Sequence, residues 1–369
     1  TGPMTRSCGP LQFFQIIPYQ TGFVLQMPTT ESAPNIPEFK PIQLLSDTFK
    51  EYNRWGRILG VNTVGRLNEI IAANEIRDFV KVAEALHEKK IAAIADQIAS
   101  NRNIKWILIA GPSSSGKTTF AERLAIQLRV SGLRPVTLGT DNYFVDRAHT
   151  PRTPAGEYDF EHLHAVDVEV LNRDLAALDA GEEIDLPTFD FYTGSRLYKG
   201  RKLRLQEDQV VILEGIHSLN PELTPGLPGN RKFHIYISAL TQLNLDNNNR
   251  IPTTDNRLIR RLVRDHRYRG HSATRTLEMW PNVGRGERTW IFPFQERADA
   301  VFNSALDYEL AILSVLARPL LSEIKPHQTV YAEARRMLEF LSHFHPLSTE
   351  IPPPTSIIRE FIGGSDFEY

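Results

Sequence analysis

The stretch Gly111-Pro-Ser-Ser-Ser-Gly-Lys-Thr-Thr-Phe120, GPSSSGKTTF, has the spacing G-x-x-x-x-G-K-[ST], and the fold follows from it. Gly111 and Gly116 let the backbone curl until several N–H groups point inward. Lys117 supplies a point charge for the β/γ-phosphates, and the Thr118 hydroxyl is placed to ligate Mg²⁺. With Ser113, Ser114, Ser115 and Thr119 completing the cradle, the loop reads as a site for the phosphates of a nucleoside triphosphate, ATP in the simplest case. Such a loop needs a strand before it and a helix after it. Ile104 to Ala110 (IKWILIA) is a short apolar run of the kind that forms a buried strand. Phe120, Leu124 and Leu128 then recur at i, i+4 and i+8, and Gly132 marks a helix stop.

Working outward, Pro135–Thr140, Gln209–Leu213 and Phe233–Ser238 are further strand candidates separated by helical or irregular stretches. That alternation, over residues 103–325, predicts an α/β fold with a parallel sheet and helices on both faces. Upstream, residues 11–27 predict two strands joined by a turn at Tyr19–Gly22, and a Pro/Ser/Thr-rich linker closes a β-rich region at about residue 40. Residues 41–102 turn helical, most clearly where Val80, Leu86, Ile91, Ile94 and Ile98 keep helical spacing, and read as a connector. Residues 326–369 hold one helix, Tyr331–Phe344, and then IPPPTSIIREFIGGSDFEY, which reads either as an ordered strap or as a flexible end.

Composition narrows the class. The chain has 369 residues, 41% hydrophobic and 23% charged, with Lys+Arg 42 against Asp+Glu 44. A net charge of -2 gives the whole molecule no field that would draw nucleic acid or an acidic membrane, so a basic site has to be local. One cysteine, Cys8, excludes an intrachain disulfide and a Cys-based zinc site, and a reducing cytoplasmic setting is expected. No apolar run approaches the roughly 20 residues needed to span a bilayer. Because the chain opens at Thr1 in strand-like sequence, an upstream segment is expected.

In an open parallel sheet, ligands sit beyond the carboxyl ends of the strands. Asp141 in Thr140-Asp-Asn-Tyr-Phe144, directly after PVTLG, can take a proton from an acceptor hydroxyl, or it can start a turn. Glu214 ends the apolar run VVILE, where Mg²⁺ or its water shell can use a carboxylate. His217 beside it reads as structural or substrate-adjacent, since no second ligand is spaced to join it in a metal site. In NRLIRRLVRDHRYRG, residues 256–270, Leu258, Ile259, Leu262 and Val263 share one helical face and Arg257, Arg260, Arg261 and Arg264 the other. The arginines predict a mobile lid that neutralises a transferring phosphoryl group, with a solvated face and a nucleic-acid stripe as the alternatives. EYDFEHLHAVD, residues 157–167, and PTFDF, residues 187–191, are polar and aromatic stretches suited to sugar hydroxyls and to a base, or to a surface loop and a core.

Together GPSSSGKTTF, TDNYF, DFEHLHAVD, PTFDF, ILEGIH and RLIRRLVRD…RG, in that order over residues 103–325, resemble the uridine kinase family of the phosphoribulokinase and uridine kinase type of P-loop kinase. The resemblance implies ATP as donor, Mg²⁺ near Thr118 and Glu214, and Asp141 as the base for a nucleoside 5′-hydroxyl. It implies Glu161 at the ribose hydroxyls, where the family keeps an aspartate, and places Arg261, Arg264 and Arg269 on the family's lid and active-site arginines. It puts Phe189 and Asp190 at the acceptor. Two positions depart: Gly194 stands where the family has a base-contacting histidine, and Met279 where a glutamine is expected. Pyrimidine salvage in the cytoplasm is the implied setting. The flanks, GPMTRSCGPLQFFQIIPYQTGFVLQMP, EALHEKKIAAIAD and REFIGGS, are similar to uridine kinase homologues that carry an N-terminal region like the accessory domains of threonyl-tRNA synthetase.

Three functions therefore compete: a nucleoside kinase, a kinase for another sugar or sugar phosphate in the manner of phosphoribulokinase, whose strand end ILEGIH also resembles, and a nucleotide-regulated RNA-binding protein. Small molecules are the expected partners, with no membrane partner and a homo-oligomer as an option.

Overall fold

Apolar runs long enough for a strand but bounded by Gly, Pro and polar residues pair with one another, and amphipathic stretches cover them. The computed structural model describes residues 7–9, 11–20, 22–29, 32–39, 41, 43–153 and 155–368. The chain divides into two compact units, Thr1–Gln43 and Leu44–Tyr369. In the first, β1 (Gln15–Tyr19) and β2 (Gly22–Gln26) pair antiparallel, with Ile17 opposite Val24, on either side of the predicted turn. Thr21 of that turn and residues 2–6 of the N-terminal stretch lie outside the described residues.

The second unit begins with α1 (Gln43–Leu59), α2 (Val64–Ala72) and α3 (Ile76–Ser100). Thr63 caps α2 by accepting from the Arg66 amide, and α3 buries Ile91, Ile94 and Ile98 as their spacing predicts. Then come β3 (Trp106–Ala110), α4 (Lys117–Val130), β4 (Arg134–Gly139), α5 (Val168–Asp179), β5 (Glu183–Asp190), β6 (Ser195–Arg204), β7 (Gln209–Glu214) and β8 (Lys232–Ser238). The chain continues through α6 (Thr253–Arg269), α7 (Ala273–Trp290), β9 (Ala300–Asn303), α8 (Glu309–Ser322), α9 (Tyr331–Ser342) and α10 (Arg359–Ile362). Among the described residues no helix is long and apolar enough to cross a membrane.

Five strands form one sheet in the order β4-β7-β3-β8-β9, and every pairing in it is parallel. Alternate residues feed opposite cores. Ile107, Ile109, Ile212, Ile235 and Ile237 pack with α3, α4, α6 and α8, while Trp106, Leu108, Val211 and Leu213 pack with α5 and β5. The predicted α/β architecture is therefore observed. Two elements had escaped the apolar reading: the edge strand β9, and the β5–β6 hairpin, which forms a separate two-stranded sheet. The strap alternative holds for the tail, since Ile357, Ile358, Phe361 and Ile362 are buried.

Helix α6 is enclosed on both faces. Its apolar face is buried, but so are Arg257, Arg260 and Arg261 on the other face, at 1%, 0% and 4% exposure. Charges leave water only when paired and hydrogen-bonded. Glu287 of α7 pairs with Arg257, and Glu309 at the start of α8 accepts from Arg260 Nε at 2.9 Å and Nη2 at 2.6 Å. Removing one partner leaves a buried charge unbalanced. Glu309→Ala is expected to cost about 3–5 kcal/mol in urea unfolding, and replacing both Arg260 and Glu309 by apolar residues of similar volume to cost clearly less. A loss under about 1 kcal/mol for Glu309→Ala would mean that Arg260 does not depend on it.

Candidate active site

The phosphate loop leaves the central strand β3 and enters α4, as its sequence requires. Gly116, the residue before α4, has φ +81, and a Cβ there would lie 2.5 Å from the Ile357 methyl Cγ2, so both backbone and space call for glycine. The loop is held from behind by α6. Arg257 Nε donates to the Ser113 carbonyl at 2.9 Å, Arg260 Nη1 to the Ser114 carbonyl at 3.4 Å, and Arg261 Nη1 to Ser113 Oγ at 2.8 Å. The arginines predicted to close over the phosphates thus support the loop that would carry them. Ser114 and Ser115 are buried and their hydroxyls have no partner among the described residues, as befits groups aimed at a ligand's oxygens.

Parallel register brings a carboxylate to this loop. Glu214, the last residue of β7, lies opposite Ile109 on one side and Gly139 on the other, at the carboxyl edge of the sheet. Thr118 Oγ1 donates to Glu214 Oε1 at 3.2 Å. A hydroxyl and a carboxylate oxygen at this spacing, with Lys117 in electrostatic reach, fit a hard divalent cation such as Mg²⁺. Burial pushes the Glu214 carboxyl up to about 7; Lys117 opposes this, while Asp141 and Glu360 add to it. Asp141, exposed in the turn directly after β4, is thereby on the same edge and within the field of Glu214.

Glu161 comes to the other flank of Lys117. Gly286 of α7 makes room for it, since a Cβ at 286 would lie 2.3 Å from Glu161 Cβ. Glu161 Oε1 is 3.9 Å from Arg261 Nη1, and Oε2 is buried with no partner. Burial pushes this carboxyl up to about 7 against the pull of Arg261.

Arg261, Arg264 and Arg269 meet at Asp265, which is fully buried. Burial would raise the Asp265 carboxyl, yet Arg264, Arg261 and Arg269 outweigh it and hold the group below its ordinary value. Sequence reading missed Asp265, whose only signal is its place four residues after Arg261 and four before Arg269. Equally silent in sequence are Glu287 and Glu309, which lie 30 and 49 residues from their arginines.

On the acceptor side, the β5–β6 hairpin is tied to the segment after β4, because Asn142 Oδ1 accepts from the Phe189 amide at 3.3 Å. Phe189 is buried edge-on against Phe144 and Phe191, with centroids 5.5 and 5.2 Å away. Asp190 Oδ1 accepts from the amides of Tyr192 and Thr193 in its own turn, and these bonds hold the carboxyl below its ordinary value. Gly194 has φ +73, and a Cβ there would stand 2.7 Å from Arg147 Nε. The Arg147 guanidinium fills the space a side chain would need. His217 is buried, which holds its ring well below the ordinary histidine range, at about 4. Met279 is half-buried on α7.

The model of the family described as "Phosphoribulokinase / Uridine kinase family" matches residues 106–311. A uridine kinase of Chloroflexus aggregans (strain MD-66 / DSM 9485) is 32% identical over 211 residues, covering 57% of this chain and 91% of that one. A uridine kinase of Staphylococcus haemolyticus (strain JCSC1435) is 27% identical over 211 residues, covering 57% and 92%. Among solved structures, a possible uridine kinase from Bacillus stearothermophilus is similar with a TM-score of 0.40 and 23% identity, over 58% of this chain and 98% of that one. With a phosphate loop on the central strand, a carboxylate at the neighbouring strand end and a family match over residues 106–311, the chain belongs to the phosphoribulokinase/uridine kinase family.

Proposed function

We propose that residues 103–325 form the catalytic domain of an ATP-dependent kinase that transfers the γ-phosphate to a nucleoside 5′-hydroxyl. The observation that carries this reading is the convergence of Lys117, Thr118 and Glu214 with Asp141 at one edge of the sheet, with Glu161 beyond. Backbone amides between Ser113 and Thr119 hold the donor phosphates and Lys117 neutralises their charge. Thr118 and Glu214 would hold Mg²⁺, which would supply positive charge against the donor phosphates. Asp141 takes the proton from the acceptor hydroxyl as its oxygen forms the new bond to phosphorus and ADP leaves. Glu161 orients the ribose hydroxyls, and Phe189 with Arg147 borders the ring. Arg264 and Arg269 reach the phosphoryl group from Asp265. Residues 1–40 keep the resemblance to the synthetase accessory region, and no chemistry is assigned to them.

A second reading, a sugar-phosphate kinase of the phosphoribulokinase kind, draws support from the buried His217 after the Glu214 strand end. The RNA-binding reading keeps only part of its basic surface, because Arg257, Arg260 and Arg261 are inside the fold while Arg267 and Arg269 stay exposed. ADP release is measured from ATP and Mg²⁺ with a panel of nucleosides, with ribulose 5-phosphate and without acceptor, with Lys117→Ala as blank. Nucleoside-dependent release is expected; release with ribulose 5-phosphate alone would favour the second reading, and none above the blank would refute both.

Asp141→Asn is expected to lower turnover by about 10²–10⁴-fold while ATP affinity stays within a factor of two or so. Turnover within about tenfold of wild type would remove Asp141 from the role of base.

Glu161 gives a pH dependence with a definite sign. Its carboxyl titrates near 4.5 in the unfolded chain and near 7 in the fold. Between those values the folded chain keeps a proton that the unfolded chain has lost, so this group's contribution to stability falls as pH rises through that window. Glu161→Gln is expected to gain on wild type from about pH 5 to about pH 8, by on the order of 1–3 kcal/mol in urea unfolding. A difference that stays constant with pH would show that the native carboxyl titrates at its ordinary value.

A further inference from the structure

The end of the chain lies beyond the span 106–311 that the family model matches, yet it reaches the phosphate loop. Ile357 packs against Gly116, and Phe361 lies under the Arg260 guanidinium, 5.0 Å from its centre. Ser356 Oγ donates to Glu84 of α3, which also accepts from the Tyr308 hydroxyl at 2.6 Å. These buried contacts fix α10 and leave one side chain to turn onto α4. Glu360 Oε2 accepts from the Thr119 amide at 3.2 Å and from Thr119 Oγ1 at 2.9 Å.

Thr119 is the third residue of α4, so its N–H has no acceptor within the helix. First-turn amides after a glycine-rich loop are the donors that take a phosphate oxygen. The hydroxyls of Ser114 and Ser115 in the same loop are buried without partners among the described residues, which marks the loop as shaped for more acceptor oxygens than the chain itself supplies. A carboxylate presents to Thr119 the same anionic oxygen that a phosphate would. Its charge also lies close enough to Glu214 to be felt there.

We propose that Glu360 is an internal competitor of the donor nucleotide: its carboxylate takes the two Thr119 donors that the innermost phosphate of the nucleotide needs, and yields them when the nucleotide binds. The inference rests on the reading of the loop as the donor site. The backbone of α10 is anchored through Ile357 and Phe361, so the Glu360 side chain can swing away while the helix stays in place, and two anions cannot share one pair of donors. ATP and ADP both carry that phosphate, so the carboxylate weakens the hold on the donor and on the departing product alike. If Glu360 were only a cap for α4, its removal would lower stability and leave nucleotide affinity where it was.

The test is calorimetric titration of the full chain with ATP, ADP and inorganic tripolyphosphate, comparing wild type, Glu360→Ala and the isosteric Glu360→Gln, with Lys117→Ala as blank. Both Glu360 variants are expected to bind all three ligands about three- to tenfold more tightly than wild type. Wild type that binds ATP, alongside folded variants that bind it equally or more weakly, would overturn the competitor and leave the kinase reading standing. Folded proteins that all fail to bind ATP would overturn the donor site itself, and the competitor with it.

Discussion

Three guanidinium groups enclosed in the protein, on one turn of α6, are the constraint on which the rest of the site depends. Enclosed cations demand acids, and these come from α7 as Glu287, from the start of α8 as Glu309, and from α6 itself as Asp265. Once the acids have taken their share, Arg260 also donates to Ser304, and further donors remain. They reach Ser113 and Ser114, so the same groups that bind α6 to α7 and α8 also shape the phosphate loop. Replacing such pairs by apolar residues would suit stability as well, but it would leave those loop carbonyls without donors.

Strand register does the second half of the work. β7 lies between β4 and β3, so its last residue, Glu214, faces the loop that leaves β3 and the turn that leaves β4. The chemistry assembled at that edge comes from residues about a hundred positions apart in the chain, brought together by backbone pairing and joined by the Thr118–Glu214 hydrogen bond. Two carboxyls there, Glu214 and Glu161, are held near neutrality by burial, each with Lys117 as an opposing charge.

Legibility followed length scale. The loop, β3 and α4 were plain because a motif and a period of about four residues lie within a few turns of each other. β4, β7 and β8 followed from apolar runs. The hairpin escaped because β6, SRLYKGRKLR, is polar nearly throughout and exposed, and β9 because four residues carry too little pattern. Periodicity placed α6 as a helix with its arginines opposite the apolar face but could not show what pairs with them, since nothing local announces an acid 30 or 49 residues away. Glu161 and Asp141 could be nominated by resemblance, but the burial that shifts Glu161 and the turn that occupies Asp190 belong to tertiary structure.

The contact between Gly116 and Ile357 joins the nucleotide loop to a residue 241 positions later in the chain. A ribosome delivers the loop long before it delivers that support. Until the final stretch has emerged, α4 has its glycine turn but neither the methyl group behind Gly116 nor the acid at Thr119. Pairings of such sequence separation close late and slowly, since the intervening chain has to be ordered first. The loop therefore acquires these surroundings only after residues 357–360 have been made, and a chain clipped before them carries the motif without the contacts that shape it.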